Sequence, residues 1–453
     1  MWQSFYTWLQ ERYHGLFKNP LVRRVIKNSS YLFSATGAAA VISMLQGILV
    51  ARLLGVASYG VLGTIILFTS VINKFCSFRM SEFVIKYVGH YNEENDYERA
   101  AAIFKTAAIL EVGASLVAFV LIVLLAPLGA RFFAKDGSAT AYFMAYGLIV
   151  LANLMAESST GLLQFYDRFR YIGILFLMQS FITFGLILVI YFADGGFLGV
   201  LLAYVVGKTF GALGLSIAAI KEANSQWSGG WWRVNINVIR PVARDLLSFA
   251  VSTNISATIN LVNKDGDLLW VSLLRGPLEA GYYRLAMSLI NIVQMPVSPL
   301  PQTTYPELSR EVAGKNWNNF RQILQQGSRL AGSYTSVAVL FLVIFGKPLI
   351  ARLYGADYLP AYPALVILMV GFLVANTFYW NRIALLSVGL PEFPMKVNSI
   401  LAVLKIIGIV IFVPMYGYLA SATLLTGYYI SSVTAAVIKL RSVLILRDNP
   451  SEV

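Results

Sequence analysis

Charged and amide side chains interrupt the apolar sequence between residues 256 and 286. They fall at helical spacing and so form one polar stripe, while the opposite face carries leucine, isoleucine and valine. The stripe consists of Ser256, Asn260, Asn263, Lys264 and Asp267. A polar stripe of this kind must face water, a partner helix or a ligand. Which of these applies depends on the surroundings that the rest of the chain provides.

Asp265 and Asp267 also spell a DxD motif, a pattern that holds a metal and a sugar nucleotide in glycosyltransferases. On a continuous helix, residues i and i+2 point about 200° apart, so the two carboxylates would not converge on one ion. Cys76 is the one cysteine, and His14 and His90 are the only histidines. Internal disulfides, zinc clusters and histidine-based catalytic triads are therefore not expected. We predict no metal and no bound cofactor.

The composition is that of an integral membrane protein. Hydrophobic residues make up 58% of the 453 positions, charged residues only 13%, and the mean hydropathy is +0.68. Soluble domains contain roughly 45–50% apolar residues. Because the apolar runs approach 20 residues without two-residue alternation, they predict helices and not a barrel. The fold class expected is an all-α membrane protein.

Twelve apolar stretches predict about twelve transmembrane helices, which places both termini on the same side. Their approximate bounds are 31–51, 59–78, 106–129, 141–163, 172–192, 197–220, 246–272, 282–302, 331–350, 363–387, 395–413 and 417–438. Most Lys and Arg residues outside these stretches lie on the side of the termini, so the positive-inside rule makes that side cytoplasmic. The net charge of +13 is therefore read as a topology signal, and no nucleic-acid partner is expected.

The two halves of the chain are repeats. The sequence around Gly55 and Gly60 recurs around Gly276 and Gly281, and both pairs are separated by 221 residues. The same offset relates residues 131–136 to 352–357. A fixed period indicates duplication, and an offset that contains six spans makes the two halves parallel repeats.

The repeat and the composition suggest five regions. They are a basic amphipathic cytoplasmic segment (1–29), an N-terminal six-helix lobe (30–220), a cytoplasmic interfacial linker (221–245), a C-terminal six-helix lobe (246–440) and a cytoplasmic tail (441–453). The first segment could also be a disordered basic tail. In the linker, Trp227, Trp231 and Trp232 beside Arg233 are interpreted as an interfacial anchor, with headgroup or carbohydrate binding as the alternative.

Proline residues predict a bent or broken eighth span, because proline removes a helical hydrogen-bond donor and kinks the axis. They are Pro296, Pro299, Pro301 and Pro306. Such a bend could be a moving joint or a fixed kink, and the sequence does not choose between them.

Basic residues within the predicted spans suggest a cationic cavity. The candidates for binding an anionic substrate are Lys208, Lys264, Arg284, Lys405, Arg382 and Lys74. Charges near the bilayer centre cost roughly 2.5–3.5 kcal/mol on insertion scales and usually face a polar interior, where Arg and Lys suit phosphate oxygens. Alternatively they pair with acids, as Lys264 could with Asp267, or extend to the interface, as Lys74 and Arg382 could.

Three acids within spans are candidates for coupling transport to a proton or sodium gradient. They are Asp267, Glu111 and Glu157. Intramembrane carboxylates serve as proton relays in pumps and transporters.

Four motifs resemble the polysaccharide transporter (oligosaccharide flippase) family of the multidrug/oligosaccharidyl-lipid/polysaccharide exporter superfamily. They are ARLLGVASYG at 51–60, the pattern from Asp267 through Gly281 to Arg284-Leu-Ala286, PELS at 306–309 and RLYGADY at 352–358. Val56 stands where members often carry proline. The resemblance covers about residues 30–440.

The resemblance implies two six-helix lobes that enclose a central cavity, which opens alternately to either face of a bacterial or archaeal cytoplasmic membrane. The implied substrate is a polyprenyl-pyrophosphate-linked oligosaccharide, moved to the outer leaflet for surface polysaccharide assembly. Membrane lipids, a polysaccharide polymerase and other assembly proteins are the implied partners. No enzymatic activity is expected.

Three other functions remain open. A cation-coupled drug antiporter of the same superfamily would need an anionic cavity, which the surplus of buried bases disfavours. A membrane polysaccharide polymerase or glycosyltransferase would need a sizeable external loop, and the external connections are short. A scaffold in an export complex would tolerate the loss of cavity charges.

Overall fold

The computed structural model describes residues 20–77, 79–227, 230–242 and 266–448, and every regular element within them is helical. The helices of the first half are α1 (Pro20–Cys76), α2 (Met80–Glu93), α3 (Tyr97–Gly129), α4 (Thr140–Ala152), α5 (Ala156–Phe165), α6 (Phe169–Phe192) and α7 (Gly196–Gln226). Those of the second half are α8 (Asp267–Arg275), α9 (Pro277–Gln294), α10 (Leu300–Ala313), α11 (Trp317–Leu353), α12 (Ala361–Thr377), α13 (Asn381–Ser387), α14 (Glu392–Tyr416) and α15 (Tyr418–Asp448).

These helices confirm the all-α membrane class. Among the described residues, nine helical stretches are long and apolar enough to cross a membrane. One of them, Gly37–Glu93, contains the first two predicted spans, which are separated by a non-helical Gly55. The seventh predicted span is described only from Asp267 onward, and the eighth begins with the 18-residue helix α9. The nine stretches thus correspond to ten of the twelve predicted spans, and most of the seventh lies outside the described residues.

The chain packs into two compact units. The first contains the described residues of Met1–Gly47, Thr69–Pro127 and Thr140–Leu261, and the second those of Ile48–Phe68, Leu128–Ala139 and Val262–Val453. Residues 48–68 and 128–139, which the sequence assigns to the first lobe, thus pack within the second unit.

Backbone geometry supports the duplication. Gly55 has φ 71° and ψ 173°, and its repeat mate Gly276 has φ 90° and ψ −178°. Gly196 and Gly417, also 221 residues apart, share a positive φ of 62° and 66°. Residues with a Cβ rarely adopt this conformation, so glycine is required at each of these helix junctions. The repeat therefore preserves the positions at which the chain changes direction.

Gly60 and Gly281 bring two repeated helices into close contact within the second unit. A Cβ on Gly60 would overlap the Pro277 carbonyl and lie 2.7 Å from the Gly281 nitrogen. A Cβ on Gly281 would overlap the Val56 carbonyl. Val56 and Pro277 are themselves repeat mates, so the contact is reciprocal, as across a twofold axis. Close backbone approach through small residues is a usual way to pack helices in membranes.

The eighth span is broken, as its prolines predict. Helix α9 ends at Gln294, and α10 begins at Leu300. The first half is interrupted at the matching place, between Cys76 and Met80, although no proline lies there. The break therefore belongs to the repeated architecture and does not depend on proline alone.

Two of the three linker tryptophans are core residues of the first unit. Trp227 and Trp231 are each 8% exposed and contact Phe104 at ring-centroid distances of 5.9 Å and 5.2 Å. The Trp231 indole donates a hydrogen bond to Asn224 Oδ1 at 2.8 Å. Of the three, only Trp232 is exposed, as an interfacial anchor would be. The anchor interpretation therefore needs correction for Trp227 and Trp231, because their rings are enclosed by protein.

The glycine contact gives a first testable prediction. Gly60→Ala should lower stability by roughly 1–3 kcal/mol, the usual penalty of overpacking, because the new methyl group meets backbone atoms that cannot rotate away. Thermal unfolding of the purified protein in detergent measures this loss.

Gly113→Ala in α3 is the matched control, since its new Cβ has no neighbour within 4 Å. Alanine there should be neutral or stabilising, because it favours helix over glycine by about 1 kcal/mol. Equal melting temperatures for Gly60→Ala and the unaltered protein would contradict the close contact.

Candidate functional site

A buried ion pair lies in the second unit. Lys405 Nζ, on α14, is 2.7 Å from Asp267 Oδ1, at the start of α8, and both side chains are only 3% exposed. Asp267 therefore pairs across two helices, whereas the sequence suggested a partner one turn away at Lys264. Lys264 lies outside the described residues.

Aromatic side chains complete the surroundings of this pair. The Tyr283 hydroxyl, on α9, donates to Asp267 Oδ2 at 3.2 Å, so each carboxylate oxygen has a donor. Lys405 Nζ lies 5.7 Å from the centroid of the Tyr428 ring, on α15. A cation over an aromatic face is attracted by the ring quadrupole. One carboxylate and one ammonium thus connect α8, α9, α14 and α15.

Arg284 is the second basic residue of this region, and Tyr59 holds it. Its Nη1 donates to the Tyr59 carbonyl, and its guanidinium carbon lies 4.0 Å from the centroid of the Tyr59 ring. The aliphatic part of the side chain passes over Gly63, where a Cβ would lie 2.9 Å from Arg284 Nε. Arg284 is half-buried, and within the described residues no carboxylate forms a salt bridge with it.

Tyr358 supports this arrangement from the segment between α11 and α12. Its ring meets the Tyr59 ring edge to face at 6.0 Å, and its hydroxyl donates to the Ala51 carbonyl at 2.9 Å. Burial raises the pKa of the Tyr358 hydroxyl, so it remains a neutral donor. The Tyr59 ring therefore contacts the Tyr358 ring as well as the Arg284 guanidinium, and Tyr358 helps to hold it in position.

Three other predicted basic residues are exposed within their own units. Lys208 is an exposed residue of α7 in the first unit, and the described residues include no salt-bridge partner for it. Arg382 is exposed on α13, and Lys74 is exposed in the last turn of α1. Of the predicted basic set, the second unit thus places Lys405 in an ion pair and Arg284 on an aromatic platform.

Glu111 and Glu157 act as helix caps in the first unit. Glu111 is 5% exposed, and it accepts from the backbone nitrogens of Glu157 and Ser158 at 2.8 Å and 2.9 Å and from the Ser158 hydroxyl. Glu157 in turn accepts from the Met80 nitrogen at 3.1 Å. The first turns of α5 and α2 thereby gain acceptors for otherwise unpaired N–H groups. Coupling by either acid stays a prediction.

Sequence reasoning missed Tyr59 and Tyr283. Both lie beside residues that the motifs had selected, Gly60 and Arg284, but tyrosine is common in membrane proteins and its partner cannot be read from spacing. Within the described residues, no group of three or more His, Cys, Asp or Glu side chains could hold a metal ion.

The ion pair gives a second prediction. Asp267→Asn should destabilise the protein by about 3–5 kcal/mol, because it leaves the buried Lys405 ammonium without its counter-charge. The double variant Asp267→Asn with Lys405→Gln should lose less stability than the two single variants lose together. The difference, the coupling free energy of the pair, should be roughly 0.5–3 kcal/mol. The coupling is obtained from the free energies of unfolding, in detergent, of the unaltered protein, the two single variants and the double variant.

The control cycle uses Glu392 and Lys396, whose side chains pair at 2.8 Å but are 73% and 67% exposed. Exposed helical pairs contribute about 0.3–0.5 kcal/mol, so this coupling should be small. Strict additivity at Asp267 and Lys405 would mean that the pair does not hold the helices together.

Comparisons with known proteins place the chain in a family. Residues 25–311 match the model of a family described as polysaccharide biosynthesis protein. The inner membrane protein YghQ of Escherichia coli (strain K12) is 25% identical over 347 residues, which span 76% of this chain and 97% of that protein.

Solved structures share the fold. A lipid II flippase, MurJ, in an inward closed conformation aligns with a TM-score of 0.72 at 15% identity, covering 90% of this chain and 87% of MurJ. An inward-facing multidrug resistance MATE family transporter of the MOP superfamily aligns with a TM-score of 0.70 at 14% identity, covering 91% and 96%. At these identities the likeness shows the fold alone. Because the family model matches more than half of the sequence, the chain belongs to the polysaccharide biosynthesis protein family.

Proposed function

We propose that this protein is a flippase that moves a polyprenyl-pyrophosphate-linked oligosaccharide from the cytoplasmic to the outer leaflet. Family membership supports a role in polysaccharide biosynthesis. The fold shared with a lipid II flippase supports movement of a lipid-linked sugar. The product would serve surface polysaccharide assembly, such as O-antigen, capsule or exopolysaccharide, with a polymerase and other assembly proteins as partners. Both termini would lie in the cytoplasm, as the distribution of basic residues predicts.

The observation that carries this proposal is the fixed guanidinium of Arg284. Its position is set by the Tyr59 ring and carbonyl, and among the described residues no carboxylate neutralises it. One of its donors is assigned to the Tyr59 carbonyl, so others remain for a ligand. A planar guanidinium with several donors suits the paired oxygens of a pyrophosphate, which it can bind bidentately.

Lys208 and Arg382 would add further positive charge, since both are exposed and neither forms a salt bridge within the described residues. Lys264 and Lys74 complete the proposed set of basic contacts. Lys405 has a different role in the ground state, because Asp267 already neutralises it. An incoming pyrophosphate could replace Asp267 as the counter-charge and release α14 from α8.

Asp267 is accordingly the proposed coupling carboxylate, with protonation of Asp267 as a second way to break the pair. Glu111 and Glu157 remain alternatives, but their helix-capping contacts tie them to local structure. Coupling to a proton gradient, or to a sodium gradient, would then drive alternating access. The moving elements would be those that the ion pair connects.

A drug antiporter is the second candidate, and the MATE fold favours it. Cationic drugs require a cavity with surplus acid. In the second unit the buried acid Asp267 is already balanced by Lys405, while Arg284 is not balanced within the described residues. The charge balance therefore favours an anionic substrate over a cationic one.

Arg284 provides the test of substrate class. Arg284→Ala, alone or with Lys264→Ala, should reduce surface polysaccharide at least tenfold, since a charge-assisted hydrogen bond contributes about 1.5–3 kcal/mol. The lipid-linked intermediate should accumulate in the inner leaflet, as measured by extraction and chromatography of labelled lipid. Arg284→Lys should restore part of the activity, because it keeps the charge but loses the bidentate geometry.

Lys396→Ala is the control, because Lys396 is an exposed, salt-bridged lysine outside the proposed site. Equal polysaccharide production by Arg284→Ala at equal expression would refute the site. Efflux of cationic dyes by the purified protein in vesicles, without movement of lipid-linked sugar, would establish the antiporter.

Coupling is tested separately in vesicles with imposed gradients. Transport should stop when proton and sodium gradients are both collapsed, and Asp267→Asn should remove the dependence on the coupling ion. Transport that continues at an equal rate without either gradient would eliminate Asp267 as a coupling group, whatever the substrate.

A further inference from the structure

A groove in the second unit lies away from the Asp267 and Arg284 site. It is formed by α11, the turn between α12 and α13, and α15, and it has a volume of about 490 Å³. Its floor is apolar and includes Leu324, Phe378, Trp380, Leu440 and Leu444. The groove is open to the surroundings and thus offers an accessible apolar surface.

Three arginines line the same groove: Arg321, Arg329 and Arg441. Arg329 and Arg441 are exposed, and within the described residues neither of them forms a salt bridge. Gln325 and Ser328 add polar groups on α11, and the Ser328 hydroxyl accepts a hydrogen bond from the Trp380 indole at 2.6 Å. The groove therefore combines a positively charged rim with an apolar floor.

The first unit shows how this protein fills the corresponding space. Helices α3 and α7 are the repeat mates of α11 and α15, and between them Trp227 and Trp231 pack on Phe104. Ala219 and Ala223 leave room for the indoles, whereas their mates at an offset of 221 are Leu440 and Leu444. The Lys105 ammonium donates to the Val234 carbonyl at 2.9 Å and holds the tryptophan segment in place.

The second unit has arginines at the rim where the first has tryptophans in the cleft. An occupant of the groove must therefore bring both an anion for the guanidinium groups and apolar bulk for the floor. The groove is continuous with a surface suited to lipid, because Leu330, Ile438 and Ile445 near it are 66%, 62% and 63% exposed. Basic pockets between transmembrane helices are suited to acidic lipid headgroups.

We infer that the groove formed by α11, α15 and the turn between α12 and α13 is a binding site for an anionic glycerophospholipid. The headgroup phosphate lies against Arg329 and Arg441, and an acyl chain lies along Phe378, Leu440 and Leu444. Residues 449–453, Asn-Pro-Ser-Glu-Val, are the competing occupant within this chain. They are poorly suited to it, because they carry no large apolar side chain to cover the floor. The site is independent of the proposed transport function.

Native mass spectrometry of the detergent-purified protein tests this site with phosphatidylglycerol and phosphatidylcholine as probes. The unaltered protein should retain one phosphatidylglycerol in preference to phosphatidylcholine. Arg329→Gln combined with Arg441→Gln should weaken phosphatidylglycerol retention at least tenfold. Arg310→Gln combined with Lys396→Gln is the control, since it removes two exposed positive charges elsewhere and should leave retention unchanged.

A second variant separates the groove from its charge. Leu444→Trp fills the floor with an indole, as Trp227 does in the first unit, and should displace the lipid while all three arginines remain. Folding of each variant is checked by its thermal unfolding. Unchanged phosphatidylglycerol retention in the double arginine variant, or in Leu444→Trp, would overturn the proposal.

Deleting residues 449–453 completes the test. Retention by the shortened protein equal to that of the full chain supports the lipid as occupant. If the full chain retains no phosphatidylglycerol and the shortened chain does, the tail occupies the groove and the proposal is wrong.

Discussion

Hydrogen bonding of the backbone in lipid constrains this structure most strongly. Hydrocarbon offers no partner for N–H and C=O groups, so a helix end that lies within it must find one in the protein. Acidic side chains provide it at helix starts: Glu111 for α5, Glu157 for α2 and Glu279 for α15. Basic side chains provide it at helix ends, as Arg52 does for α11 and Lys135 for α8. Each sign of charge thus lies where the helix dipole favours it.

This constraint changes how charges in an apolar sequence are interpreted. The sequence predicts Glu111 and Glu157 as coupling acids. In the structure they accept hydrogen bonds from backbone N–H groups at helix starts. Lys405 and Asp267 neutralise each other. Arg284 differs from both cases, because its partners among the described residues are the ring and carbonyl of Tyr59. A cation held in position without a carboxylate partner in that part of the chain suits the anionic ligand that we propose.

Much of the fold follows from the sequence because it depends on local composition. The length of the apolar runs predicts the spans, and the 221-residue offset pairs Gly55 with Gly276, which the structure shows to share a positive φ. The ion pair joins residues 138 positions apart, and no local pattern selects Lys405 over Lys264 as the partner of Asp267. The burial of Trp227 was likewise hidden, since an indole can pack against protein or lipid with similar composition around it. Which side chains meet is decided by the tertiary structure. The sequence therefore predicted the types of residue at the candidate site but not the contacts between them.

The crossing at Gly60 and Gly281 bears on how the two halves diverged. A self-complementary contact is what two identical units form across a twofold axis, so the contact agrees with an origin of the two halves by duplication. In its present position the Arg284 side chain occupies the space that a Cβ would need at position 63, its repeat mate, so a larger residue there would require Arg284 to shift. Arginine in one repeat thus lies against glycine at the same position of the other, so the two halves differ in charge where their helices come close together.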